Sequence, residues 1–491
     1  MRDMVLIINF DELNSRSVAR KLRAERVYCK IVPATVTLEE VKAQEPLGLI
    51  LTGASKGMNT LPGFDQQLLC LGVPILALGD AGAVLCSLLG GHPEDSFLER
   101  SAALVTYDEE HPLFFDVAEG ERMMASVRPL TLCETLNPAA WVGDAVIGFV
   151  HKELPICGLQ FQVEQNDPDG IQILANFALQ VCGCTAWWDN EAFITRAVEE
   201  IQRVVGEGTA LCALSGGVDS AVCALLGHKA IGARLKCIFV DTGLMRKDEG
   251  DILVPYYQNT LGLNITRVNA GDRFLRELAG VSDPKEKQQI IHRLLQDILD
   301  DEVKKTPDAD VLLEGTNYTD TMHHNDVEIA PAALRLHSRQ ATIVTPVREL
   351  FKDEIRRVGE TMGLPPEIYS RQPFPGSGLA IRILGEVTPD RLHILQEADA
   401  IFLDEIAQSG QGKRLWQYFA VLSDNPKNEF RGVVICLRAV HASEGTGAMA
   451  ARLPYDLLER TVDRILKALP QVARVVYDLT PSGSYAGIEW Q

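Results

Sequence analysis

Short apolar runs alternate with amphipathic ones in two separate stretches of the chain, and nothing else in the sequence restricts its fold as tightly. In the first stretch VLIINF (5–10), VYCKIV, GLILTG (48–53) and ILALG (75–79) are parted by the helix-patterned SVARKLRAE, LEEVKAQ and AVLCSLLGG. Strands separated by helices form a parallel, doubly wound sheet with helices on its faces. This stretch closes near Cys184, and TAWWDNEAF is expected to begin a helical connection. The second stretch starts at ALCALSGG (210–217) and continues through the helix AVCALLGHKAIG, the strand LKCIFVD (235–241) and the strand VLLEGT (311–316). ELFKDEIRRVGETMGLP reads as a helix stopped by Gly363 and Pro365. The Pro- and Gly-rich RQPFPGSGLAIR (371–382) marks a boundary. Beyond it, the helices PDRLHILQEADAIFLDEIA and YDLLERTVDRILKAL mix with the strands FRGVVICLRAV and ARVVYDLT in a small α+β pattern. A chain of 491 residues accommodates three such units at roughly 100–200 residues each. Their expected limits are 1–186, 187–384 and 385–491.

Hydrophobic residues at 46% and charged residues at 23% suit a globular enzyme and leave no room for extensive disorder. The 67 acidic against 47 basic residues give a net charge of −20. That balance disfavours a bare polyanion, so no nucleic-acid partner is expected. The eleven cysteines are scattered, with no CxxC pair and with Cys182-Gly183-Cys184 as the tightest spacing. Cys223 and Cys436 sit in apolar surroundings, as small buried hydrophobes do. Neither a disulfide framework nor a zinc site is expected, and a reducing, cytoplasmic compartment is. The opening MRDMVLIINF is expected to be a buried strand and not a signal peptide. No run approaches the ~20 apolar residues that span a bilayer, so no membrane partner is expected.

Ser215-Gly216-Gly217-Val218-Asp219-Ser220 lies between an apolar strand and a helix. Two consecutive glycines permit close approach of the backbone to an anion and a positive φ. The helix that follows offers free N–H groups and its positive end, and the two serine hydroxyls add donors. Asp219 repels a polyphosphate unless a cation lies between them, which makes it a candidate Mg²⁺ ligand, with local capping as the alternative. This is not a Walker A loop, because no Gly-Lys-Ser/Thr follows.

On these residues the sequence resembles the ATP-pyrophosphatase family, whose loop of this form binds the pyrophosphate part of ATP. More narrowly it is similar to GMP synthetases along its whole length. FVDTGLMRKDE (239–249), EGTNYTD (314–320), ELFKDEIR (349–356), RQPFPGSGLAIRILGEV (371–387), LPYD (453–456), RVVYDL (474–479) and IEWQ (488–491) recur in the same order. The resemblance implies that Ser215, Gly216, Gly217, Val218, Asp219 and Ser220 hold the pyrophosphate and that Val240 and Asp241 lie near adenosine. It places Thr316, Lys352 and Asp353 at the reaction centre, with Asp219, Lys352 and Asp353 as the catalytic candidates and ATP and Mg²⁺ as cofactors. Without the resemblance Lys352 reads as an exposed helix lysine; with it, a cation suits charge that moves onto departing pyrophosphate. The implied fold is two doubly wound α/β domains followed by a small α+β dimerisation domain, and the implied assembly is a homodimer.

The first third resembles a class I glutamine amidotransferase. That family presents its nucleophile as Gly-x-Cys-x-Gly on a sharp turn after a strand, and a later strand carries His-Pro-Glu. Here PILALGDAGAVLCSLLGG (74–91) puts Gly79 in the nucleophile's place, with Asp80 and Ala81 also departing from the pattern. In GLQFQVE (158–164) the histidine is replaced by Gln162, and only Glu164 remains. Thiol attack needs a thiolate and a base to make it. Glutamine hydrolysis is therefore not expected, and nitrogen would arrive as free ammonia or from an external donor. Cys86, seven residues beyond Gly79, is expected to pack within a helix. The oxyanion-hole glycines are also changed in part, to Thr52-Gly53-Ala54-Ser55.

The acceptor site departs from the family as well. GMP synthetases carry a lid with Lys-Ser-His-His-Asn-Val-Gly-Gly and end in Lys-Pro-Pro-x-Thr-Ile-Glu-Trp-Glu. Here the lid region LRLHSRQATIVTPV (334–347) is shorter and lacks that motif, and TPSGSYAG precedes Ile488-Glu489-Trp490. A lost charge-assisted phosphate contact is worth roughly 1.5–3 kcal/mol. Arg335, Arg339 and Lys413 are candidate replacements, and His323 and His324 are candidate substrate contacts or metal ligands. The implied activity is adenylation of a carbonyl oxygen, that of XMP in the family, and its replacement by nitrogen to give GMP, AMP and pyrophosphate. Three alternatives stay open. They are the same chemistry on another acceptor, tRNA thiolation (disfavoured by the charge and the missing CxxC), and a non-catalytic nucleotide sensor, which the intact SGGVDS and FKDE segments oppose.

Overall fold

The computed structural model describes residues 3–53, 60–98, 102–118, 120–123, 127–161, 168–322, 342–424, 432–443 and 447–481. Two compact units, Met1–Ala192 and Phe193–Gln491, make up the chain. Of the sequence expectations, those on Ala54 and Ser55, Gln162 and Glu164, His323 and His324, Arg335 and Arg339, and the terminal Ile488-Glu489-Trp490 lie outside the described residues.

The first unit holds β1 (Val5–Asn9), β2 (Cys29–Pro33), β3 (Gly48–Thr52), β4 (Ile75–Leu78), β5 (His92–Pro93) and β6 (Ala102–Tyr107). It continues with β7 (Gly120–Met123), β8 (Leu130–Thr131), β9 (Leu136–Val142), β10 (Ala145–His151) and β11 (Ile156–Leu159). Nine of these strands form one sheet in the order β2-β1-β3-β4-β11-β10-β9-β6-β7, and β5 pairs with β8 apart from it. The half from β2 to β11 is parallel, as the strand–helix alternation requires. From β11 outward the sheet turns antiparallel, an extension that the alternation does not announce. Asp11 starts the helix Glu12–Ala24 by accepting the Asn14 N–H at 3.0 Å, and the helix buries Val18, Ala19 and Leu22. The connecting helix begins at Asn190, later than TAWWDNEAF suggested; Trp187 and Trp188 instead pack on Tyr28.

In the second unit β12 (Thr209–Leu214), β13 (Leu235–Asp241), β14 (Ile265–Asn269), β15 (Ala309–Leu313) and β16 (Thr342–Val344) form a wholly parallel sheet ordered β14-β13-β12-β15-β16. The strand expected over 311–316 ends at Leu313, so Glu314–Asn317 is a loop. The helix expected from Glu349 begins at Lys352, because the Glu354 carboxylate turns back to accept the Phe351 N–H at 2.9 Å. It ends before Gly363, which takes φ +85°. Past the Gly/Pro-rich segment, β17 (Gln417–Asp424), β18 (Val433–Ser443), β19 (Gly447–Ala450) and β20 (Val472–Tyr477) build a second sheet centred on β18. The helices Pro389–Gln408 and Tyr455–Ala468 accompany it. One apolar core runs through both sheets of this unit, from Leu211, Ile238 and Ile298 to Leu395, Phe402, Leu422 and Leu437.

Candidate active site

In the parallel sheet of the second unit the chain leaves β12 towards β13 and β14, then returns to β15 on the other side. The direction of winding therefore reverses between β12 and β15. Ligands of open α/β sheets occupy the crevice beyond the carboxyl ends of the strands at such a point. The loop Ser215–Gly217 follows β12, and Glu314–Asn317 follows β15. The second of these loops packs on the first turn of the helix Val218–Ile231 that follows the first. A Cβ on Gly315 would lie 2.9 Å from the Asp219 carbonyl carbon and from the Ser220 nitrogen, so only glycine permits this approach.

Within the loop only Gly216 takes a positive φ, +80°; Gly217 has φ −81° and ψ 158°, open to any residue. The expected steric need therefore divides: Gly216 serves the turn, while Gly217 leaves the approach to the helix N-terminus open. A Cβ there would meet only the Ser215 Oγ, at 3.4 Å. The Ser220 hydroxyl donates to the Gly217 carbonyl at 3.0 Å and accepts from the Ser215 N–H at 3.2 Å. Through these two bonds it braces the loop. Val218 is buried at the head of the helix Val218–Ile231.

Lys352, first residue of its helix, forms an ion pair with the Oδ2 of Asp219. The other oxygen of Asp219, Oδ1, is buried and accepts no hydrogen bond from the described residues. A carboxylate with one oxygen paired and one free is a suitable oxygen ligand for Mg²⁺ beside a polyphosphate. Thr316 is half-buried and follows Gly315 in the chain, its hydroxyl 3.4 Å from the Glu314 carboxylate. Asp353 pairs with Arg357 one turn along its helix, at 3.3 Å. Val240 ends in the core, and the Asp241 carboxylate accepts from Arg267 at 2.5 Å and from the Gly243 N–H at 2.9 Å. Lys413 is exposed on the short turn Gln411–Arg414.

Three further side chains complete this face, and none was legible as a site residue. Glu249 is 7% exposed; its Oε2 accepts the Arg246 N–H at 3.1 Å and its Oε1 pairs with Arg371 at 2.5 Å. Arg371 also donates to the Gly216 carbonyl at 3.0 Å. The Arg246 guanidinium stacks over Phe374 with its carbon 4.3 Å from the ring centroid and stands 4.0 Å from Asp399. Its Nη2 is buried without an acceptor among the described residues. Burial and the neighbouring Arg371 hold its pKa down to about 10. The signal available in the sequence was the position of Arg246 five residues past Asp241, at the carboxyl end of a parallel strand.

In the first unit Gly79 stands between β4 and the helix Asp80–Leu88 with φ 62° and ψ −134°. That is the sharp strand-to-helix turn on which a nucleophile is displayed, in a conformation strained for any side chain. The turn is kept and carries no side chain. Cys86 lies wholly buried in the following helix, and burial pushes its thiol up to about 12, so almost no thiolate exists at neutral pH.

Residues 404–490 match the family model described as GMP synthase C terminal domain. Full-length relatives agree. The chain is 37% identical over 520 residues to a GMP synthase [glutamine-hydrolyzing] of Clostridium perfringens, covering 100% of both chains. It is 38% identical to the protein of that name from Clostridium acetobutylicum, again over 100% of each, and 38% identical to that from Caldicellulosiruptor saccharolyticus, over 100% of this chain and 99% of the relative. With the phosphate-loop crevice, the kept elbow and this end-to-end likeness, the chain belongs to the GMP synthase family.

Proposed function

We propose that this chain is an ATP-dependent, AMP-forming ligase that aminates XMP to GMP with ammonia and does not hydrolyse glutamine. The contact between Lys352 and Asp219, at the end of the segment Ser215–Ser220, carries the proposal. In it the pyrophosphate of ATP rests on the N–H groups of the loop and of the first helical turn, where the helix dipole favours negative charge. Mg²⁺ fits at the free Oδ1 of Asp219 and would neutralise phosphate charge there. The acceptor's carbonyl oxygen attacks the α-phosphorus; the bond to the β-phosphate oxygen breaks, and pyrophosphate leaves against Lys352. Ammonia then adds to the activated carbon, AMP departs with the former carbonyl oxygen, and a proton is released.

The anionic group of the acceptor has a matching cation in Arg246, whose buried Nη2 has no acceptor among the described residues. This compensates for the lysine absent from the C-terminal motif and favours XMP over an uncharged acceptor. The glutamine-hydrolysing activity in the names of the relatives does not carry over, because Gly79 offers no nucleophile and the Cys86 thiol stays protonated. Among the described residues no helix is long and apolar enough to cross a membrane, and a homodimer formed through the C-terminal segment in the cytoplasm completes the proposal. The test is isotope exchange between pyrophosphate and ATP, measured with XMP, IMP, xanthosine and no acceptor. XMP-dependent exchange supports it. Exchange with xanthosine alone transfers the chemistry to another acceptor, and absence of exchange with any acceptor returns the protein to a sensor role.

A further inference from the structure

Glu249 and Arg371 touch neither the Lys352–Asp219 pair nor Thr316 through any recorded hydrogen bond, yet they join the two halves of the crevice. From the phosphate loop, the Gly216 carbonyl accepts from Arg371 Nη1 at 3.0 Å. Arg371 Nη2 pairs with Glu249 Oε1 at 2.5 Å, and Glu249 Oε2 accepts the backbone N–H of Arg246 at 3.1 Å. The path from the loop to Arg246 is thus four groups long and unbroken. Glu249 is buried and Arg371 half-buried, with side-chain exposures of 6% and 16%, so solvent screens this pair far less than one on the surface. The glutamate also lies close to the loop itself: a Cβ on Gly216 would come within 3.1 Å of Oε1. At the far end the turn that carries Arg246 is held from its other side, where Gln396 donates to the Met245 carbonyl at 2.8 Å and the Leu379 N–H donates to the Leu244 carbonyl at 2.7 Å. Among the described residues, the hydrogen bond that the Gly216 carbonyl accepts from Arg371 leads on to the backbone of Arg246.

We propose that the Glu249–Arg371 pair is a positioning element that couples nucleotide binding at the loop to binding of the anionic acceptor at Arg246. The inference rests on the function proposed above. When an anion draws the loop into place, Gly216 fixes the fork of Arg371, Arg371 fixes Glu249, and Glu249 fixes the backbone from which Arg246 reaches the acceptor. A coupling between two binding sites is reciprocal, so each ligand must tighten the other by the same factor.

The test is calorimetric titration of the full chain with a non-hydrolysable ATP analogue and with XMP, each alone and each in the presence of the other. In the wild type both titrations are expected to show one common tightening factor, in the typical range of about 5–150-fold. In Glu249→Gln, and independently in Arg371→Lys, which keeps the charge but loses the two-pronged geometry, that factor falls towards one. The two binary affinities change far less. A merely structural role would weaken both binary affinities and leave the factor intact, and that result overturns the proposal. So does a wild type that binds both ligands without coupling. A wild type that binds neither ligand refutes the proposed function first, and this inference with it.

Discussion

Gly315 is the residue at which a single methyl group tests the geometry of the crevice. Its Cβ, if present, would lie 2.9 Å from both the Asp219 carbonyl carbon and the Ser220 nitrogen and 3.0 Å from the Asp219 oxygen. All three atoms are backbone, so no rotamer relieves the contact. Ordinary Cβ contacts begin near 3.4 Å, and in Gly315→Ala the loop Glu314–Asn317 and the head of the helix Val218–Ile231 must part by about half an ångström. Overpacking of this kind costs about 1–3 kcal/mol of stability. A displacement of 1 Å at a reaction centre costs about a hundredfold in rate, so half of it is expected to cost about tenfold. Thermal unfolding together with pyrophosphate–ATP exchange measures both effects. The control is Gly217, where a Cβ meets only a serine hydroxyl at 3.4 Å. Gly217→Val should melt as the wild type does and yet bind no ATP, because the side chain stands where the anion approaches. If Gly315→Ala exchanges and melts like the wild type, this loop and the helix head do not meet as described. If Gly217→Val keeps its ATP affinity, the loop does not hold phosphate.

Replacing Lys352 by Met removes the cation opposite the departing pyrophosphate and should lower kcat by about 10²–10³-fold in a steady-state AMP-release assay; an unchanged kcat removes Lys352 from the reaction centre. Lys287 is buried with its ammonium donating to the carbonyls of Ala380, Ile383 and Gly385, and burial with the nearby Arg391 holds its pKa down to about 8 from 10.5. Below pH 8 both states are protonated and the folded state bears the full cost of the buried charge. Between 8 and 10.5 only the unfolded state keeps the proton, so this group adds stability as pH rises. The denaturant-derived stability of the wild type relative to Lys287→Met should therefore increase across that window, and a flat difference would mean that the three carbonyls keep the lysine charged. Light scattering at micromolar concentration should return twice the chain mass, and a monomer would remove the C-terminal segment as a dimer interface.

Much of this was legible where local chemistry and fold agree. LKCIFVD is a bounded apolar run, and β13 occupies those seven residues. The strand expected through Thr316 fails because apolar content ends at Leu313; Glu314 begins the loop that Gly315 presses against Asp219. The antiparallel extension of the first sheet did carry a signal. Gly143-Asp144 separates β9 from β10 by two residues, and Gly143 takes φ +56°, as a hairpin turn of that type demands. Neighbouring glycines do not declare which one adopts the positive φ, so the division of labour between Gly216 and Gly217 came from the structure alone. The pair of Glu249 and Arg371 was out of reach altogether, because residues so far apart in the chain share no periodicity and meet only after both sheets have formed.

The source of nitrogen is the most direct test of what this protein does. Gly79 keeps the turn of a nucleophile without the nucleophile, and the neighbouring Cys86 is buried with its thiol pushed up to about 12. The deciding measurement is GMP formed from XMP and ATP by the purified full chain, with ammonium chloride or with labelled glutamine at equal concentration, together with glutamate released. Ammonium should support turnover that rises with pH as NH₃ becomes available, while glutamine supports neither GMP nor glutamate above background. Glutamate release near 1 s⁻¹, within the usual range for enzymes, would contradict this account and direct the search for a nucleophile first to Cys86.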